Sequence, residues 1–218
     1  MTPPTIDELT VADRAQAWRA LGFETAGDDV LEVGSVRIRL EQDAGRGIAG
    51  WSLRGTATTE LDGLPTVVSE RETGPPAPVH PNGVAALDHV VAFTPDLERT
   101  LRALEAAGLE LRRRREGPTP GGARRQAFFR LAEVILEVIE HPPDAPAAAD
   151  RSAPARFWGL AFSVQDLDGL VERLGVRVGT IRAAVQPGRR IAPLRRSGGL
   201  SVPVAFITPS GEAAGDRP

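Results

Sequence analysis

Cysteine, tyrosine and lysine are all missing from the 218 residues, and each absence removes chemistry. Without cysteine there are no disulfides, thiolate metal sites or thiol nucleophiles, a composition suited to a reducing compartment. Without lysine all 26 basic residues are arginine, which excludes Schiff-base chemistry and a pyridoxal-phosphate anchor. Histidine is scarce. Only His80, His89 and His141 are available, so any imidazole-based metal or acid–base site draws on three residues. No apolar run reaches the roughly 18 residues of a membrane span. The opening stretch 2–13 is acidic and interrupted rather than leader-like, so a cytoplasmic protein without a membrane partner is expected. A net charge of -3 gives no electrostatic reason to expect nucleic acid.

What is present is ordinary for a globular chain: 41% hydrophobic and 25% charged residues, enough for one composite domain or two small ones. Two stretches rich in proline, alanine and glycine, 72–83 and 141–155, read as linkers. They separate an N-terminal segment (1–71) from a larger unit (84–208), itself composed of segments 84–141 and 156–208. The tail 209–218 lacks apolar periodicity and is expected to be disordered.

The segment after the first linker is the most legible. Residues 87–93 (LDHVVAF) are β-branched and aromatic, as in a strand covered on both faces. Leu97, Leu101 and Leu104 then recur at helical spacing, with Thr94 as the expected N-cap, Pro95 at the first helical position and Gly108 closing the helix. Strands are expected at 109–115, 124–131 and 134–140, giving the order βαβββ. Such a unit forms a half-open curved sheet that needs a partner.

The partner is visible as a repeat. Residues 158–164 (WGLAFSV) form a second opening strand, 165–174 an amphipathic helix, 175–188 a weaker strand and turn, and 190–195 with 200–207 a closing hairpin. The N-terminal segment supplies a strand at 6–11, a helix at 13–21 and a hairpin at 30–33 and 35–41. Then Gly50-Trp51-Ser52-Leu53 followed by Leu61-Asp62-Gly63-Leu64 echoes Gly159-Leu160-Ala161-Phe162 followed by Leu167-Asp168-Gly169-Leu170. The echo suggests the same strand-to-helix opening used twice, so that four modules are read, the second truncated. The fold class is α+β, with repeated βαβββ modules forming curved mixed sheets around a cavity and helices outside.

The strand LDHVVAF, an Asp-Leu pair at the helix start and a closing strand LEVIE resemble the module of the vicinal oxygen chelate superfamily, the glyoxalase, bleomycin-resistance and extradiol-dioxygenase group. That resemblance implies a cavity between paired modules, with a His on the first strand and a Glu on the last as ligands of a divalent metal that chelates vicinal substrate oxygens. It places His89 and Glu137 in those positions. Strand period agrees, setting Leu87, His89 and Val91 on one face and Ile135, Glu137 and Ile139 on the corresponding face of the last strand. In the partner module Gly159 stands opposite His89 and Ala205 opposite Glu137. In the N-terminal segment Glu8 takes the place of His89, and Arg37, Arg39 and Glu41 line the face of Glu137. Neither copy supplies a ligand pair, and the N-terminal segment is read as a degenerate glyoxalase-like half.

The expected role is therefore binding of a small organic molecule, or metal-free acid–base catalysis, with His89 and Glu137 as the polar centre and no cofactor. The alternative is a metal-dependent lyase, isomerase or dioxygenase in which Glu140, water or a second subunit completes the set; a homodimer is allowed. Gln126, Phe128 and Arg130 share one face of the third strand, and Arg125, Ala127 and Phe129 the other. Sequence leaves open which set faces the ligand. Trp158, Phe162 and the stretch 186–190 (QPGRR), Arg190 in particular, are candidate rim residues, whereas Arg112 to Arg115 read as solvent-facing and His80 and His141 as solvated linker residues.

Overall fold

Alternation of apolar and polar residues fixes most of the strands in the computed structural model, which describes residues 3–117, 122 and 125–209. The N-terminal part runs β1 (Thr5–Val11), α1 (Ala15–Arg19), β2 (Val30–Val33), β3 (Val36–Leu40), β4 (Ile48–Arg54) and β5 (Thr66–Val68). The larger part runs β6 (Val84–Thr94), α2 (Leu97–Ala106), β7 (Glu110–Glu116), β8 (Arg125–Leu131), β9 (Val134–Glu140), β10 (Arg156–Val164), α3 (Leu167–Leu174), β11 (Arg182–Ala183), β12 (Arg190–Pro193) and β13 (Val204–Ile207). The expected tail (209–218) and part of the turn at 117–124 lie outside the described residues, apart from Gly117, Gly122 and Pro209.

Two curved mixed sheets result. The order β11-β12-β13-β10-β6-β9-β8-β7 makes an eight-stranded sheet, and β2-β3-β1-β4-β5 a five-stranded one. Both are built on one plan: an antiparallel central pair, β6 with β10 and β1 with β4, each of whose strands also has a parallel neighbour. The fold class is thus α+β with curved mixed sheets and few helices.

Each central strand carries a bulge at the same place in its module. Register shifts leave one extra residue at Asp7 on β1, Ala49 on β4, Asp88 on β6 and Trp158 on β10. A bulge breaks the two-residue alternation and re-aims the side chains around it. At Asp88 this corrects the expectation that Leu87 shares a face with His89. Leu87 is 2% exposed and belongs to the core with Val90 and Ala92, while His89 lies on the opposite, concave face.

The core sits on the helix-covered faces. Leu97, Leu101 and Leu104 of α2 and Leu167, Leu170 and Leu174 of α3 are buried against the strands. The α2 cap differs from the reading of Thr94: Asp96 is the N-cap, its carboxylate accepting from the Arg99 amide at 3.1 Å, while the Thr94 hydroxyl accepts from the Asp96 amide. One continuous core spans both sheets, with Trp18 of α1 edge-on to Phe162 of β10 at 5.9 Å and Trp51 of β4 edge-on to Phe157 at 4.9 Å. In the second module no α-helix follows β4. Leu61 and Leu64 remain fully buried as the α3 leucines are, but Asp62 and Gly63 adopt positive φ and turn the chain directly to β5.

The linker 72–83 is less passive than its composition suggests. His80 is 7% exposed, its Nδ1 accepting from the Glu24 amide at 3.1 Å, and Asn82 donates to the Leu21 carbonyl at 3.0 Å. His80 is therefore a buried residue between the two parts and not a solvated one.

Candidate functional site

Because of the bulge, the consecutive side chains of Asp88 and His89 meet instead of diverging: His89 Nδ1 lies 2.8 Å from Asp88 Oδ2. Asp88 also receives Arg189, whose Nη1 is 3.3 Å from Oδ2 and whose Nη2 bonds Oδ1; Arg189 is anchored in turn through Nε to the Thr208 carbonyl at 2.7 Å. Burial alone raises the Asp88 carboxyl, but the hydrogen bonds from His89 and Arg189 outweigh it and hold the group below the usual carboxylate range. An ionised Asp88 can only accept, so His89 turns its Nδ1–H to it, and the tautomer that this bond selects has its lone pair on Nε2.

That Nε2 faces Glu137 Oε2 at 3.8 Å, too long for a hydrogen bond. The other Glu137 oxygen accepts from Gln126 Nε2 at 2.7 Å. Pairing explains the meeting: Glu137 is opposite Val91 on β6 and Phe128 on β8, which places His89 and Gln126 at its diagonals. Burial pushes the Glu137 carboxyl up, more than His89, when it is protonated, and Arg115 bring it down.

The structure settles which face of β8 is which. Ala127 and Phe129 are fully buried in the core, and Gln126 and a half-buried Phe128 lie on the concave face beside Glu137. Arg130 shares that face by period but sits at its end. It is exposed, donates to the Ala132 carbonyl at 2.8 Å, and helps line a surface depression of about 260 Å³ with Pro3, Glu110, Arg112 and Ala132, away from His89. Trp158, on its bulge, is 50% exposed and edge-on to Phe93 at 5.6 Å, and Phe93 stacks on His141 at 5.1 Å. Phe162 is no rim residue but lies fully buried in the core. Arg190 is not brought to the centre either: it pairs with Asp168 of α3 on the outside at 2.6 Å, and its neighbour Arg189 is the arginine that enters.

The sequence pattern does not single out three residues of the cluster: Asp88, Arg115 and, within 186–190, Arg189. Asp88 is missed because strict alternation sets it opposite His89. Its signal was the repeated Ile6-Asp7-Glu8 and Leu87-Asp88-His89, and Asp7 is likewise a buried bulge carboxylate bonded to Arg54 and Arg71. Arg189 was one of an unresolvable pair. Arg115 was hidden in a run of four arginines, of which Arg112, Arg113 and Arg114 are exposed and Arg115 alone is half-buried beside Glu137.

A divalent metal of the kind implied by the resemblance is poorly matched by these donors. His89 and Glu137 make two ligands where catalytic sites of the zinc type use three, and the Arg115 guanidinium repels a cation there. The copies add nothing. By register Ala205 pairs with Ala161 as Glu137 pairs with Val91, so it has no donor to offer. At Gly159 a Cβ would stand 2.8 Å from the Pro203 carbonyl oxygen, which leaves no room for a histidine; Gly50 faces Pro65 in the same way at 3.0 Å. In the first module Glu8 is held by Arg39 at 2.9 Å and Arg37 at 3.3 Å. Among the described residues no group of three or more His, Cys, Asp or Glu side chains is arranged to hold a metal ion.

Comparison with known proteins agrees with this architecture. Residues 87–217 match the glyoxalase-like domain family. A comparison with curated protein sequences found no match. Among solved structures, a fusion of a xylose isomerase-like TIM barrel with a 4-hydroxyphenylpyruvate dioxygenase superposes at a TM-score of 0.62 and 13% identity, over 97% of this chain and 49% of that one. Methylmalonyl-CoA epimerase from Mycobacterium tuberculosis aligns with 61% of this chain and 93% of its own at 22% identity and a TM-score of 0.49. The Streptomyces coelicolor epimerase aligns with 62% and 99% at 22% and 0.47. At these identities the likeness is one of fold. The family match covers more than half of the chain, and with the paired βαβββ plan it means that the chain belongs to the glyoxalase-like family of the vicinal oxygen chelate superfamily.

Proposed function

We propose that the concave face of the eight-stranded sheet binds a small organic molecule and that His89 and Glu137 move a proton on it without a resident metal. The observation that carries this reading is the Asp88–His89–Glu137 chain. Asp88 fixes the imidazole tautomer, His89 Nε2 is left free, and a carboxyl with a raised pKa faces it at 3.8 Å. Two neighbouring groups of this kind beside an acidic C–H can take its proton, leaving the electron pair on the substrate as an enolate, and return it later. Arg115 beside Glu137 supplies the positive charge that such an anion requires. Phe128 and Trp158 are the apolar wall of the proposed site.

The test is solvent deuterium exchange. The whole protein is incubated in D2O with small 2-substituted carboxylic acids and ketones, and loss of the C–H signal is followed by NMR with and without EDTA. Exchange insensitive to EDTA and lost in both His89→Ala and Glu137→Gln is expected. Binding without exchange would reduce the role to ligand sequestration. Exchange that requires added divalent metal would overturn the metal-free reading.

A further inference from the structure

Two buried polar atoms on the concave face have no hydrogen-bond partner among the described residues, Arg115 Nη1 and Gln126 Oε1. One is a donor and the other an acceptor. Their residues are directly paired across β7 and β8. Gln126 is 5% exposed, and its amide nitrogen is already committed to Glu137. Native proteins rarely leave such atoms unsatisfied, and where they do a missing partner is the first explanation to test. Here one partner must accept from a guanidinium and the other must donate to an amide oxygen.

The pairings extend this row across the sheet: Arg115 to Gln126, Gln126 to Ile139, Ile139 to Phe93. With strands about 4.8 Å apart, Phe93 stands about 10 Å from Gln126. Phe93 carries the half-exposed Trp158 on its edge. The floor thus passes from a charged donor and a neutral acceptor, over an isoleucine, to an aromatic pair.

We infer that Arg115 and Gln126 hold the carboxylate and the adjacent hydroxyl of a hydroxycarboxylate whose apolar, preferably aromatic, group lies over Ile139 towards Phe93 and Trp158. The carboxylate accepts from Arg115 Nη1, and the hydroxyl donates to Gln126 Oε1. The cation that binds the ligand's anionic oxygen is then an arginine of β7 and not a metal held by His89 and Glu137. A monoanion suits the site better than a phosphate, because Glu137 is close by and the charge of Arg189 is already taken by Asp88. This assignment rests on the concave face being the ligand site, as proposed above.

Three probes of one shape test it: mandelate, phenylacetate, which lacks the hydroxyl, and methyl mandelate, which lacks the anion. Each is titrated into the full chain by calorimetry and by tryptophan fluorescence, since Trp18 and Trp51 are buried and Trp158 is exposed. Mandelate is expected to bind about three- to tenfold more tightly than phenylacetate, the span of one hydrogen bond, and more than about tenfold more tightly than the ester, whose loss of charge removes a charge-assisted bond. Arg115→Gln should abolish the preference for acid over ester, Arg115→Lys should keep part of it, and Trp158→Phe should keep it while removing the fluorescence response. Circular dichroism checks that each variant is folded. Equal binding of acid and ester by the wild type, or a preference that survives Arg115→Gln, overturns the inference. If no probe binds while deuterium exchange occurs with other compounds, the inference alone fails; if neither is seen, the reading of the site falls with it.

Discussion

Asp88 and His89 are adjacent in sequence on a β-strand and yet hydrogen-bonded to each other at 2.8 Å, because the bulge at Asp88 turns both onto one face. The carboxylate also holds Arg189, so it joins the first strand of one module to the loop before β12 of the other. Its pKa lies below the ordinary carboxylate value in the fold. It therefore contributes stability above that ordinary value, and the contribution is lost as pH falls through the lowered one. Asp88→Asn should cost about 1–3 kcal/mol at pH 7 and progressively less in acid. Urea denaturation at pH 7 and at pH values below the ordinary aspartate value of 3.8 measures the difference.

Glu137 has the opposite sign. Its pKa is raised in the fold, so the native state holds that proton more tightly than the unfolded chain does. The stability it contributes is complete below the ordinary carboxylate range and is lost as pH rises through the raised value. Glu137→Gln should therefore gain stability over the wild type at neutral and alkaline pH and converge with it in acid. Melting temperatures of the two proteins between pH 4 and pH 8 check this, and a constant offset at all pH values would contradict it.

Gly159 occupies the place of His89 in the partner module, where a Cβ would lie 2.8 Å from the Pro203 carbonyl; at Gly50 the corresponding distance to Pro65 is 3.0 Å. Backbone cannot yield as a flexible side chain can, so overpacking of about 1–3 kcal/mol is expected for Gly159→Ala, with a smaller loss for Gly50→Ala. Chemical denaturation of both variants ranks them. Gly159→His should likewise destabilise and should not create a metal site, which zinc titration of the variant reads directly.

His80 joins the linker to the first part of the chain through the Glu24 amide and lies edge-on to Phe23 at 5.2 Å. Burial lowers its pKa, against smaller raising effects from the Glu32 backbone and the Glu24 charge. A lowered histidine gives stability above its ordinary value that is lost as pH falls. The wild type should lose stability below about pH 6.5, the reference value. His80→Gln, whose side-chain oxygen can still accept from the amide, should flatten that slope in pH-dependent thermal melts.

Much of this architecture was legible because alternation and helical spacing are local signals. β2 and β9 fall on the expected residues, α2 and α3 within about two, and the equivalences of Gly159 with His89 and of Ala205 with Glu137 follow from aligning modules. What was not legible came from register. A bulge adds one residue and reverses the facing of Leu87, and no pattern of period two announces it. The helix after β4 was expected from the echo of Leu61-Asp62-Gly63-Leu64, but the chain needs only one turn there to bury both leucines. At the site, His89, Glu137 and Gln126 come together as their strands imply. Arg189 displaced Arg190 because the loop before β12, rather than a strand period, decides which of two consecutive arginines turns inward.

On the function proposed above, the charge of the site comes from arginine and proton transfer from His89 and Glu137, with no resident metal. Metal analysis of the protein purified without chelator, beside His89→Ala, tests it most directly. Metal well below one ion per chain, unchanged in the variant, is the predicted result. One ion per chain, lost in His89→Ala, would contradict it.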